Sequence, residues 1–183
     1  MTIKTEPIKT IEEVQAIEKY LWLHSKRNHL IWLISVNTGL LLSEILNLNI
    51  GNVKNFNTLE YPDNSGMVKR VRLNNKVAKY LSMYLRRLGV QRINTPLFKG
   101  QKGRRLDRSQ VQRFLKEAVK TVGIRSNVSI SSMRRTFGRF HYLKYHDIVL
   151  LKHILNQDTV EQTLKYIGLE SNTYDLSYAD FEL

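Results

Sequence analysis

Apolar positions in this chain recur mostly three and four residues apart, and that period specifies helix. The clearest case is residues 75–89, where Val77, Tyr80, Leu81, Tyr84, Leu85 and Leu88 fall on one face. Thr10 followed by Glu12 and Glu13 reads as a helix start, an N-cap with acidic residues in the first turn, and predicts a helix over residues 11–24. Residues 27–38 are apolar enough for a buried helix, which Thr38-Gly39 stops. Further helices are expected over residues 43–48, 108–122 (ended by Gly123), 131–146, 148–155 and 159–166. Two stretches read instead as strands, 53–61 and 67–73, and the turn Pro62-Asp63-Asn64-Ser65-Gly66 between them signals a hairpin. The expected fold is mainly α with a small antiparallel β-hairpin or sheet, an α+β domain.

Composition sharpens this picture in one respect. The 183 residues suffice for one domain with a sizeable core, and 42% hydrophobic with 25% charged residues is ordinary for a globular chain. The balance of charge is not ordinary: 29 Lys and Arg stand against 16 Asp and Glu, a formal charge of +13. Such a surface attracts polyanions, nucleic acid first and an anionic membrane second, with solubility charge as the plain alternative. No cysteine is present, which excludes disulfides, thiolate zinc sites and cysteine nucleophiles. The first ten residues carry no apolar signal-peptide core, and apolar runs such as residues 30–36 are too short to span a bilayer. A soluble, cytoplasmic protein without membrane association is expected.

The basic residues cluster. Arg134, Arg135 and Arg139 share the first half of one expected helix beside serines rather than acids, so they lack helix-pairing partners and suit phosphate contact. Lys99, Lys102, Arg104 and Arg105 surround Gly100 and Gly103 in a loop, and Arg108 and Arg113 extend the stretch; a DNA-backbone role and an incidentally charged loop both fit. The five histidines show no metal-ligand spacing and read as surface or core residues, so no metal or other cofactor is expected. No aromatic-rich RNA-binding sheet motif is visible, which leaves RNA or membrane binding by a basic helical protein as a weaker alternative.

Four short motifs carry a more specific message. Thr38-Gly39-Leu40-Leu41-Leu42-Ser43-Glu44-Ile45 resembles the T-G-L-R-x-S-E-hydrophobic motif of the tyrosine recombinases (phage-integrase family). Ser131-Ser132-Met133-Arg134-Arg135-Thr136-Phe137 resembles that family's H-x-x-R-H-T-F box. Leu155-Asn156-Gln157, followed by Thr163-Leu164-Lys165-Tyr166, resembles L-G-H followed by T-x-x-Y. They occur in the family's order with the hairpin in the right place, over nearly the whole chain. The resemblance implies a catalytic-type domain over residues 1–168 and a tail over 169–183. The amino-terminal DNA-clamping domain usual in the family is not in this sequence.

The resemblance also assigns roles. Tyr166 stands at the position of the nucleophile that attacks a DNA phosphodiester and forms a 3′-phosphotyrosyl link, and Arg134 at that of the second arginine, which holds charge developing on the phosphate oxygens. Ser131 occupies the box-histidine position and Gln157 the third-box histidine or tryptophan position, where each still offers a hydrogen-bond donor. Leu41 occupies the first-arginine position and offers none. Lys69 is the nearest hairpin candidate for the general acid, since Asn64 and Ser65 stand where a lysine would be expected. Two functions follow: a recombinase that cleaves and rejoins double-stranded DNA, or a non-cleaving DNA-binding accessory protein of a mobile element. The family further implies self-association into a tetramer on DNA, with the tail bearing Tyr174, Leu176, Tyr178 and Phe181 as a subunit contact or else a frayed end.

Overall fold

The computed structural model describes residues 5–62, 66–100 and 103–169. Among them the order of elements is α1 (Ile11–His24), α2 (Lys26–Thr38), α3 (Leu42–Asn47), a 3₁₀ turn (Ile50–Asn52), β1 (Val53–Lys54), β2 (Thr58–Pro62), β3 (Val68–Arg72), α4 (Asn75–Leu88), α5 (Arg108–Thr121), α6 (Ile130–Tyr145), α7 (Ile148–Leu155) and α8 (Val160–Tyr166). It is the mainly helical α+β architecture that the hydrophobic period implies. The turn residues Asp63, Asn64 and Ser65, the loop residue Lys102, and the tail from residue 170 onward lie outside the described residues.

Capping side chains set several boundaries. Thr10 Oγ1 accepts from the Glu13 amide and opens α1. Ser25 ends α1 through its own amide and opens α2 with its side chain, which accepts from Asn28 N, so one residue turns the chain. Asn74, Asp107, Asp147 and Thr159 cap α4, α5, α7 and α8 in the same way. Gly39 closes α2 at φ 67°, and the aromatic ring of Phe137 presses so closely there that an added Cβ would lie 2.5 Å from it. Only glycine meets both demands.

The core is built around α2, which packs against α1, α3, α4 and α6 and buries the unbroken run from His29 to Ser35. Seven consecutive buried positions have no amphipathic face, as befits a helix enclosed on every side. A second, smaller cluster lies at the carboxy-terminal end. Leu151, Leu155, Leu164 and Ile167 are buried there between α7 and α8, with Phe137 and Tyr142 of α6 packed against them.

One expected element divides differently. Residues 53–61 do not form one strand, because Asn55 and Phe56 both take left-handed conformations (φ 49° and 58°) and fold the chain back. The result is a three-stranded antiparallel sheet in the order β1-β2-β3, with Val53 opposite Leu59 and Tyr61 opposite Lys69. Asn tolerates the left-handed region and Phe does not favour it, so Phe56 concealed the turn behind a strand-forming side chain.

Candidate active-site cleft

A cleft of about 1050 Å³ opens between α3, the sheet, α6 and the carboxy-terminal end of α7. Arg134 reaches it from α6. Its Nε donates to the Gly39 carbonyl at 2.6 Å, and its Nη2 to the Leu155 carbonyl at 3.2 Å. Both acceptors lie where helices end, α2 and α7, and so have no intrahelical partner. A guanidinium carries five N–H donors in a fixed fork. Two are spent on these carbonyls, and the others have no partner among the described residues. Arg134 is therefore a half-buried, oriented cation with free donors.

Lys69 enters from β3, where its Nζ meets Glu44 Oε1 at 3.0 Å. The other oxygen of Glu44 accepts from the Leu41 amide at 2.7 Å, so Glu44 joins the start of α3 to the sheet. Arg70 also borders the cleft, its Nε paired with Glu60 at 2.7 Å. Gln157 lines the opposite wall after Asn156, which leaves α7 in the left-handed region at φ 52°. Leu41 sits on the rim, 45% exposed, and offers the cleft a side chain without a donor. Three arginine or lysine cations, one carboxylate and several amides thus surround a space large enough for a phosphodiester.

The remaining sequence-derived candidates lie elsewhere. Tyr166 is not among the residues lining the cleft. Its ring lies beneath the Arg135 guanidinium, whose carbon is 4.3 Å from the ring centroid, and Arg135 Nη1 donates to the Tyr166 carbonyl at 2.9 Å. Arg139 donates to the Gly168 carbonyl at 3.3 Å. Both arginines thus serve carbonyls at the end of α8. Ser131 is outside the cleft as well, its hydroxyl bonded to Thr5 Oγ1 at 2.9 Å and Ser129 Oγ at 3.0 Å.

The basic loop divides into anchored and exposed residues. Arg105 is an anchor: it donates to the carbonyls of Leu46 (2.6 Å) and Leu48 (3.1 Å) and to Asn49 Oδ1 (2.7 Å). Lys99 pairs with Gln91 at 3.0 Å, while Arg104 and Arg108 are exposed. Lys102 lies outside the described residues.

One cleft residue carries chemistry that its sequence position did not announce. His153 lines the cleft from the last turn of α7, and lacking metal spacing it reads as an ordinary histidine. Glu44, whose place in the sequence fits either a structural role or the orienting of a cation near the site, holds the lysine.

A mainly helical domain with a small three-stranded antiparallel sheet is the fold of a tyrosine recombinase catalytic domain. The chain belongs to the phage integrase family, whose model matches residues 9–172. Over 178 residues it is 28% identical to the probable integrase/recombinase YoeC of Bacillus subtilis (strain 168), covering 96% of each chain. Its fold is similar to that of XerA recombinase, with a TM-score of 0.77, 23% identity and 93% of this chain covered. It is also similar to XerH site-specific recombinase bound to palindromic difH substrate in a post-cleavage complex (TM-score 0.72, 22% identity, 92% of this chain). A lambda integrase dimer bound to a COC′ core site gives a TM-score of 0.72 at 13% identity over 96% of this chain. The chain spans 61% of the XerA chain and 51% of each of the other two.

Among the described residues, no helix is long and apolar enough to cross a membrane, and no group of three or more His, Cys, Asp or Glu could hold a metal ion.

Proposed function

We propose that this chain binds double-stranded DNA across the cleft and exchanges strands through a 3′-phosphotyrosyl intermediate on Tyr166. The observation that carries the reading is the state of Arg134: two backbone carbonyls fix its plane while its remaining donors face a polar cleft. A preorganised guanidinium of this kind stabilises charge developing on a phosphoryl oxygen without reorganising at the moment of reaction. In the reaction the Tyr166 hydroxyl forms the new phosphorus–oxygen bond as its proton passes to solvent water. The 5′-oxygen leaves and takes a proton from the Lys69 ammonium, which Glu44 holds at the cleft. Gln157 donates to a non-bridging oxygen, and Arg104, Arg108 and the neighbouring loop cations follow the backbone outside. Because Tyr166 rests under Arg135, α8 must move for the attack. A tetramer on DNA is the assembly this chemistry uses to pair two duplexes, and a lambda integrase tetramer bound to a Holliday junction is similar in fold.

The test is a pool of nicked suicide duplexes with randomised cores, scored for a covalent protein–DNA adduct on denaturing gels. An adduct is expected, and Tyr166→Phe and Arg134→Ala should each abolish it. Two observations favour a second reading, a non-cleaving DNA-binding protein of a mobile element: Leu41 supplies no donor, and Tyr166 lies away from the cleft. Losing one such stabiliser costs roughly 3 kcal/mol, about a hundredfold in rate. Salt-sensitive duplex binding with no adduct from any member of the pool would establish that second reading and end the first.

A further inference from the structure

We infer that Arg135 is a positioning residue that parks Tyr166 outside the cleft until a DNA phosphate competes for its guanidinium. The inference rests on the proposed role of Tyr166 as nucleophile and adds to it the device that controls when that role is available.

The position of α8 depends on what holds it, since its seven residues are too few to be stable alone. It packs mainly on α7, and the two helices share a small apolar cluster separate from the one around α2. Its connection to the body is through α6, and there the polar contacts are guanidinium ones. Arg135 donates to the Tyr166 carbonyl at 2.9 Å, and Arg139 to the Gly168 carbonyl at 3.3 Å.

Arg135 does more than cap a helix. Its guanidinium carbon lies 4.3 Å from the centre of the Tyr166 ring, so one side chain grips both the backbone and the phenol of the same residue. A cation over an aromatic face is attracted by the ring quadrupole, and a planar guanidinium also stacks on it. The grip is incomplete: Nε of Arg135 is buried with no hydrogen-bond partner. A buried donor without an acceptor is a standing cost, relieved by any arrangement that supplies an oxygen. A phosphate offers several, with full charge and bidentate geometry, and outcompetes a neutral carbonyl and a ring face.

The experiment uses the full chain with 3-fluorotyrosine incorporated and the Tyr166 fluorine resonance assigned from Tyr166→Phe. In the wild-type protein without DNA, that resonance should differ from free 3-fluorotyrosine and shift toward it on adding duplex. Arg135→Ala should shift it without DNA and raise the initial adduct rate on suicide duplexes about tenfold, the population released when a contact of this class is lost. Arg135→Lys, which keeps the charge but lacks the planar fork, should fall between the two and serves in place of Arg135→Ala if that variant does not fold. An unchanged resonance in both variants would overturn the proposal. So would an adduct rate that falls in a variant whose melting temperature is unaltered, since Arg135 would then assist Tyr166 rather than restrain it. If no protein forms an adduct, the cleavage reading fails, while the resonance shift still decides whether Arg135 restrains Tyr166.

Discussion

The two apolar clusters of this domain differ in how widely they are tied to the rest of the chain. Around α2, residues from nearly every element up to the start of α6 interlock, and Trp32, Ile45 and Leu59 have no exposed surface. Between α7 and α8, four side chains are buried among the described residues, Leu151, Leu155, Leu164 and Ile167, and exposed Val149 and Leu150 lie on the outer face of α7. The first cluster must open as a unit, because removing any helix uncovers the rest. The second can open by itself, since few contacts cross to the body. Arg134 bridges the two, donating to Gly39 at the end of α2 and to Leu155 of the small cluster, whereas Tyr166 rides on the small cluster.

The largest effect expected from this contrast is a difference in kind between two truncations. Trp32→Ala should cost roughly 3–5 kcal/mol and lower the midpoint of global unfolding. Leu155→Ala removes a comparable share of its own cluster, but the loss is capped at the free energy of local opening. Its signature is lost amide protection over α7 and α8 with a nearly unchanged global midpoint, read by hydrogen exchange alongside a denaturant melt. Equal shifts of the midpoint in both variants would mean the clusters open together.

Gly138 sharpens the comparison at the seam. On α6 it faces the small cluster, where an added Cβ would lie 2.7 Å from Ile167 Cγ2 and 3.1 Å from Leu155 Cδ1. In a helix interior Gly→Ala gains up to ~1 kcal/mol in propensity, but overpacking costs ~1–3 kcal/mol, and at contact this close the cost outweighs the gain. Gly138→Ala should displace α8 while leaving the α2 core intact. Faster proteolysis after Lys165, with unchanged near-ultraviolet signal from Trp22 and Trp32, would report it. Below this in size is Asp147→Ala, which removes the acceptor for Leu150 N at the start of α7. That loss should cost about 1 kcal/mol, measured as faster exchange confined to α7 and α8.

The same contrast explains what could be read from the sequence. The helix limits Ile11–His24 and Ile148–Leu155 coincide with those expected, because caps and periodicity are local and Thr10 and Asp147 do in three dimensions what they do in the chain. The Asn55–Phe56 turn was hidden, since a left-handed Phe is unfavourable by type and is settled by the sheet around it. In the site, Arg134, Lys69 and Gln157, singled out through the family resemblance, line one cleft. The placements of Tyr166 under Arg135 and of Ser131 beside Thr5 were not legible. Motif spacing records where a residue stands along the chain, whereas the side of α6 on which a seven-residue helix rests depends on a few guanidinium contacts.

The smallest effect concerns acid and belongs to the large cluster. Glu18 of α1 is mostly covered by its neighbours, and burial alone would push its carboxyl up. Its neighbours reverse the sign: the His29 imidazole on α2, with Nε2 at 3.7 Å, and the Lys76 ammonium on α4, with Nζ at 2.6 Å, together hold it below the ordinary carboxylate value of 4.5. A carboxyl depressed in the folded state binds fewer protons there than in the unfolded chain. Its contribution is therefore fully present above the unfolded value and is lost as pH falls through the folded one. Wild-type protein should lose stability below about pH 4.5 that Glu18→Gln, already lacking the charge, does not lose. Because α1, α2 and α4 all belong to the cluster around α2, that acid-dependent loss should appear in the global melt and leave the exchange of α7 and α8 unaltered until the body unfolds. If instead α7 and α8 open first as the pH is lowered, in both wild type and Glu18→Gln, the acid sensitivity lies at the seam with α6 and not in this triad.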